Sequence, residues 1–277
     1  MAVTLTDYSD RAVQAARSVL LELSHILGSY RETFVIIGGW VPELLLTGAA
    51  QPHIGSTDVD VALDHRSLEE PGYQKLVSLL IKRGYRQSEE QPFIFFRDVL
   101  VEGQEISVEV DFLAGEYAGS GKRHRTQVIE DLRARKARGC DLVFEMNSEI
   151  EINGKLPNGG IDQSKVRVAS IPAFLVMKGM ALADRLKEKD AWDIYYCLLY
   201  YPGGVEALAE KMRPFLKQGL VQEGLAKIAG KFQSPEHMGP TAIADFEELT
   251  DPDARSLVQR DAYERMQALM RLVGLGR

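Results

Sequence analysis

Apolar residues recur at helical spacing over residues 10–27, where Val13, Ala16, Val19, Leu20, Leu23, Ile26 and Leu27 form one stripe. Ser9 or Asp10 can cap the start of this stripe and Gly28 can end it, so an amphipathic opening helix is expected. Residues 33–37 are a short β-branched and aromatic run that stops at Gly38-Gly39, after which 40–47 reads as a short helix closed by Gly48. Residues 58–63 alternate charged and apolar positions, 67–84 have a helical period, and 93–99 and 106–113 read as further strands. Short strands over 142–152 and 166–169 flank the turn Pro157-Asn158-Gly159-Gly160. Beyond Pro172 the period is helical almost throughout, with helices expected over 172–186, 191–200, 205–216, 221–232 and 254–273. The pattern predicts an α/β (α+β) domain over residues 1–170, a mixed sheet with helices that begins with the opening helix, and an all-helical region over 171–277.

With 277 residues, 45% of them hydrophobic, the chain can bury a substantial core. The first ten residues are polar and acidic, without the basic and apolar regions of a secretory signal. The longest apolar stretches, 34–50 and 171–183, are interrupted by Pro42 and Glu43 and by Lys178, so neither is expected to span a bilayer. Only two cysteines occur, Cys140 and Cys197, neither with a second Cys or a His at metal-ligand spacing, and a reducing cytoplasm is the expected location. A net charge of -7 argues against a protein that coats nucleic acid over its whole surface. One stretch runs the other way: Lys122, Arg123, His124, Arg125, Arg133, Arg135, Lys136 and Arg138 are either a solvated loop and helix face or a phosphate or RNA contact.

The chemistry concentrates in two of the expected strands. In Asp58-Val59-Asp60-Val61 the two acids leave one face while the valines enter the core. Glu109-Val110-Asp111-Phe112 repeats the pattern, so if the strands are neighbours the acids converge. Like charges that close repel unless a cation joins them, and hard oxygen ligands without His or Cys favour Mg²⁺ or Mn²⁺. Asp58, Asp60 and Asp111 are the candidate metal ligands. Upstream, Gly38-Gly39 between strand and helix lets backbone N–H groups approach a triphosphate, and Ser56 and Thr57, just before Asp58, are candidate nucleotide contacts as well. A D-x-D alternation is also what a half-exposed strand looks like, and a glycine pair is also a plain tight turn.

The order Gly38-Gly39 after a strand, a short helix, Asp58-x-Asp60 on the next strand and Asp111 on a later one resembles the polymerase-β-type nucleotidyltransferase superfamily. Within it, the stretch that carries Lys178, Ala181, Leu182, Arg185, Lys189, Asp190 and Asp193 resembles the AbiEii-type toxins. The resemblance runs over about residues 33–199. It departs from many relatives in having Trp40, not serine, after the glycines, as the Gly-Gly-Trp of antibiotic-modifying relatives does. The resemblance implies a nucleoside triphosphate co-substrate, an RNA acceptor such as the 3′ end of tRNA, and an antitoxin partner. It further implies that Lys178 and Asp190 are catalytic, with Arg185 at the nucleotide.

From the residues alone, Lys178, Arg185 and Lys189 would share one helix face if that helix is continuous, and Asp190 would as readily cap a second helix starting at Ala191. Lys178 interrupts an apolar helix and needs either a phosphate, open solvent or an acid such as Asp111 or Glu109. The expected reaction, with two metals held by Asp58, Asp60 and Asp111, is attack of an acceptor hydroxyl on the α-phosphorus with loss of pyrophosphate, Asp111 acting as base and Lys178 neutralising the leaving group. A small-molecule acceptor and a catalytically silent binding module are the alternatives.

Overall fold

A computed structural model of the chain describes residues 4–64, 76–115, 126–129, 132–185 and 187–276. The chain is mixed α/β and forms two compact units, one of residues 9–41 and 55–170, the other of residues up to Tyr8, 42–54 and 171–277.

The first unit holds the whole sheet. Helix α1 (Asp10–Ile26) is capped by the Ser9 hydroxyl, which accepts from the Ala12 N–H, and it buries Ala16, Val19, Leu20 and Leu23 of the stripe. Strand β1 (Phe34–Ile37) is buried at every position and leads through Gly38-Gly39 into α2 (Trp40–Leu45). Strand β2 (Asp58–Leu63) follows. The expected helix over 67–84 is seen as α3 (Leu76–Lys82), since 65–75 lie outside the described residues. Then come β3 (Arg86–Gln87), β4 (Ile94–Val101), β5 (Gln104–Ala114), β6 (Thr126–Ile129), β7 (Leu132–Lys136), β8 (Asn147–Lys155) and β9 (Ile161–Ala169). The sheet runs β3-β4-β5-β2-β1-β9-β8, with the β6–β7 hairpin attached to β5 through β7. Pairs β2·β5, β1·β9 and β5·β7 are parallel and the rest antiparallel.

Two expectations change here, and one strand is new. The strand over 142–152 begins only at Asn147, because Cys140–Phe144 is a 3₁₀ turn whose last carbonyls accept from the Asn147 side-chain amide. Its apolar residues are buried as a turn, which period alone cannot distinguish from a strand. The basic stretch, where described, is an antiparallel hairpin and not a helix face. Strand β3, two residues long, has no periodic signal.

The second unit is helical: α4 (Ile171–Asp184), α5 (Glu188–Tyr200), α6 (Gly204–Met212), α7 (Gly219–Lys231), α8 (Met238–Phe246) and α9 (Pro252–Leu272). Helices α4 and α7 meet backbone to backbone, since a Cβ on Gly179 would stand 2.4 Å from the Gly224 carbonyl oxygen. Helix α8 was hidden in the sequence by Gly239-Pro240, yet Pro240 sits in its first turn, where a missing N–H costs nothing. Helices α4 and α5 are separate, so Lys178, Arg185 and Lys189 do not share the face of one continuous helix. Among the described residues no helix is long and apolar enough to cross a membrane.

Candidate active site

In the sheet unit, β2 and β5 are parallel neighbours in the register Asp58↔Glu109 and Asp60↔Asp111. Two alternations of acid and apolar residue therefore lie side by side, with Val59, Val61, Val110 and Phe112 fully buried. The sequence expected exactly these acids to meet only if the strands were neighbours, which they are.

Each carboxylate is held by a different group. Asp58 accepts from the Ser56 hydroxyl, and its backbone carbonyl accepts from the buried Trp40 indole N–H at 2.7 Å. Trp40 thus ties the start of β2 to the glycine turn. Asp60 lies against Gly38, where a Cβ would come within 1.9 Å of its Oδ2, and Gly38 has φ of +70°. The glycine is required twice, by its left-handed backbone and by the carboxylate above it. Asp111 is buried and bonds Arg135, whose Nη2 is 2.6 Å from its Oδ2, while its Oδ1 is buried without a partner. Burial and then the Asp60 charge push the Asp111 carboxyl up to about 8 against the pull of Arg135, and Glu109 and Asp58 add to the rise. Gly39 lies in the turn between β1 and α2, Thr57 directly precedes β2, and α2, with six residues, offers only a small dipole at its N-terminus.

These contacts bear on a divalent cation in opposite ways. Among the described residues, no three His, Cys, Asp or Glu side chains are grouped as a metal ion needs. Yet the donors are hard oxygens, and the Oδ1 of Asp111 is a buried oxygen with no hydrogen-bond partner, open to a cation or a further donor. Hard carboxylate oxygens of this kind are the donor chemistry that Mg²⁺ or Mn²⁺ takes.

Of the basic stretch, Lys122, Arg123, His124 and Arg125 lie outside the described residues. Arg135 pairs with Asp111 while its side chain stays 40% exposed.

The other candidates sit in the helical unit. Lys178 Nζ lies 2.6 Å from Asp190 Oδ1 and 2.7 Å from Asp193 Oδ2, so its partners are acids of α5, not Asp111 or Glu109. Arg185 reaches the other oxygen of Asp190 at 3.0 Å, and Lys189 reaches Asp193 at 2.8 Å. Asp190 does not cap a helix starting at Ala191: α5 starts at Glu188, and Asp190 lies in its first turn with its N–H on the Lys187 carbonyl. Burial disfavours both carboxylates, but Lys178 and Arg185 hold Asp190 below the usual carboxylate range and Lys178 and Lys189 hold Asp193 well below it. His53, which the sequence did not single out, bonds Asp193 at 3.0 Å with its side chain fully buried between Trp192 and Tyr196. Burial lowers His53 to about 4, so it is neutral. Nothing in its spacing pointed to it, because its partner is 140 residues away.

Compared with protein-family models, curated proteins and solved structures, the chain matches none.

Two predictions arise here. Gly38→Ala should cost about 1–2 kcal/mol for the left-handed backbone alone and displace the Asp60 carboxylate. Mn²⁺ affinity should fall with it, while Gly48→Ala, whose Cβ meets nothing within 4 Å, should leave both unchanged. Titration calorimetry beside thermal melts checks this, and equal Mn²⁺ affinity in the two variants would refute it.

The second concerns pH. Asp111 keeps its proton in the folded state up to about 8, whereas the unfolded chain releases it near 3.8. Between these values the unfolded state binds fewer protons, so this group's contribution to stability is full below the lower value and is lost as pH rises through the upper one. Without divalent cations the melting temperature should therefore fall between about pH 5 and 8 by more in the wild type than in Asp111→Asn. Parallel melting curves for the two proteins would sink the assignment.

Proposed function

We propose that this protein is a divalent-cation-dependent nucleotidyltransferase of the polymerase-β type, moving a nucleoside monophosphate from an NTP to an acceptor hydroxyl. The observation that carries this reading is the register of Asp58 and Asp60 against Glu109 and Asp111, with a buried Asp111 oxygen that lacks a partner. Asp58, Asp60 and Asp111 would hold the cation, which supplies charge neutralisation at the triphosphate and acidifies the acceptor hydroxyl. Asp111 is the residue to accept the hydroxyl proton, since one of its oxygens, Oδ1, is held by no partner. Ser56 orients Asp58, Trp40 anchors the strand beneath it, and Gly38 leaves room for Asp60. Gly39 and Thr57 are the remaining nucleotide contacts of this reading.

Lys178, Asp190 and Arg185 are catalytic or nucleotide-binding by resemblance alone. Their mutual pairing supports a structural role first, with Lys178 and Arg185 balancing the charge of Asp190. The acceptor class follows the toxin resemblance and is RNA, the 3′ end of tRNA, with an antitoxin as protein partner and the cytoplasm as location. The test is incubation with each α-labelled NTP, Mg²⁺ or Mn²⁺ and total tRNA, in parallel with a panel of hydroxyl-bearing antibiotics. Label in tRNA is the expected outcome. Label only in a small molecule would overturn the RNA acceptor, and no label with any pair would overturn the transferase.

A further inference from the structure

We propose that Arg135 is the resident counter-cation of the carboxylate site, which a divalent cation displaces from Asp111 and which then binds the phosphate oxygens of the incoming triphosphate. This rests on the transferase reading and adds a phosphate-binding residue to it. Arg135 lies on β7, which pairs in parallel with β5 just past Asp111, Leu113 opposite Arg135. Its guanidinium is thereby delivered to the end of the carboxylate row, 2.6 Å from Asp111.

The pair is incomplete at both ends. An arginine fixed for structure alone tends to form a two-pronged contact in which both carboxylate oxygens are used. Here a single contact is made, and Asp111 Oδ1 and Arg135 Nε are each buried with no partner. The idle oxygen suits a cation and the idle N–H suits an anion, the two halves of a metal–triphosphate complex. The Phe93 ring, 5.9 Å from the guanidinium carbon, keeps the cation in place without consuming a donor. The side chain is 40% exposed, so its outer edge is open to an arriving ligand. Charge favours the exchange: a divalent cation brings twice the charge of the guanidinium that stands beside Asp111, and the planar fork then matches phosphate geometry.

The test measures binding, not turnover. Full-length protein without nucleotide is titrated with Mn²⁺ and free Mn²⁺ is read by electron paramagnetic resonance, for the wild type, Arg135→Gln and Arg135→Lys. Arg135→Gln should bind Mn²⁺ roughly tenfold more tightly, because a like charge beside the site is gone. At saturating Mn²⁺ it should bind the α,β-methylene analogues of the four ribonucleoside triphosphates at least about tenfold more weakly, having lost a charged donor. Arg135→Lys, which keeps the charge if the Gln variant does not fold, should stay within a few-fold of wild type for Mn²⁺ and weaken nucleotide binding, since it lacks the fork. Unchanged or weaker Mn²⁺ binding by Arg135→Gln overturns the proposal, as does unchanged nucleotide affinity in both variants, or no Mn²⁺ binding by any of the three proteins. If the two affinities shift in opposite directions but no acceptor is ever labelled, the transferase reading fails and the role of Arg135 stands. If tRNA is labelled while Arg135→Gln binds Mn²⁺ like the wild type, the reverse holds.

Discussion

Asp60→Asn is expected to lower nucleotidyl transfer by at least about 10³-fold, the loss of several kcal/mol of charge stabilisation at the reacting phosphate. The fold should survive, because Asp60 stands opposite Asp111 and its charge is the largest neighbouring contribution that keeps Asp111 protonated. Removing one of two like charges relieves that repulsion, so the melting temperature without metal should hold or rise. Asp58→Asn should show the same loss of transfer with less effect on Asp111, whose carboxyl feels Asp58 least of the three neighbouring acids. The decisive comparison is turnover against melting temperature for both variants, with and without Mn²⁺. Near wild-type turnover in either would remove the cation from these strands, and a collapse of stability would make the carboxylates structural.

Lys178→Ala is expected to destabilise the protein by about 3–5 kcal/mol, the cost of leaving buried acids without their counter-charge. Lys178 is one ammonium for two carboxylates, and both are almost completely buried. Arg185, half exposed, and Lys189 would remain as partial compensation for Asp190 and Asp193 respectively. A loss of that size is a large part of the stability of an ordinary domain. Lys178→Met together with Lys189→Met, Asp190→Leu and Asp193→Leu should recover stability relative to Lys178→Ala, since apolar residues of similar volume can replace a buried ionic cluster once its buried Lys189 is replaced too. Denaturant melts of the variants supply the measurement. If Lys178→Ala instead melts like the wild type while its KM for NTP rises and its kcat falls by roughly 10²-fold, the lysine belongs to the triphosphate and the pairing with α5 is incidental.

What could be read in advance follows from where the information sits. Strands β2 and β5 declared themselves because their acids alternate with Val59, Val61, Val110 and Phe112, and a period of two is a local property. That they are parallel neighbours, and that Asp60 faces Asp111, is set by chain topology and leaves no trace in either segment. Arg135 was visible only as one of a crowd of basic residues; its partner is fixed by β7 joining β5 beyond Asp111. Lys178 was legible as a charge that must be neutralised, but the neutralising acids depended on a helix break between Asp184 and Glu188. Residues 172–186 and 191–200 read as two helices, but with no Gly or Pro between them a continuous helix stayed open as well, and with it which acids Lys178 would meet. Trp40 could be read only as the residue that follows the glycine pair, whereas its hydrogen bond to the Asp58 carbonyl is a matter of packing.

The sheet also dictates an order of events while the chain is being made. Strand β1 is Phe-Val-Ile-Ile, buried along its length, and lies between β2, which follows closely, and β9, which ends at residue 169. For as long as synthesis takes to travel from residue 63 to residue 161, one side of the most apolar strand has no partner and is a template for any other extended segment. Chains arrested in that interval should be the species that aggregate and that chaperones retain, and slowing initiation or lowering the growth temperature should raise soluble yield more than any change to the finished surface would.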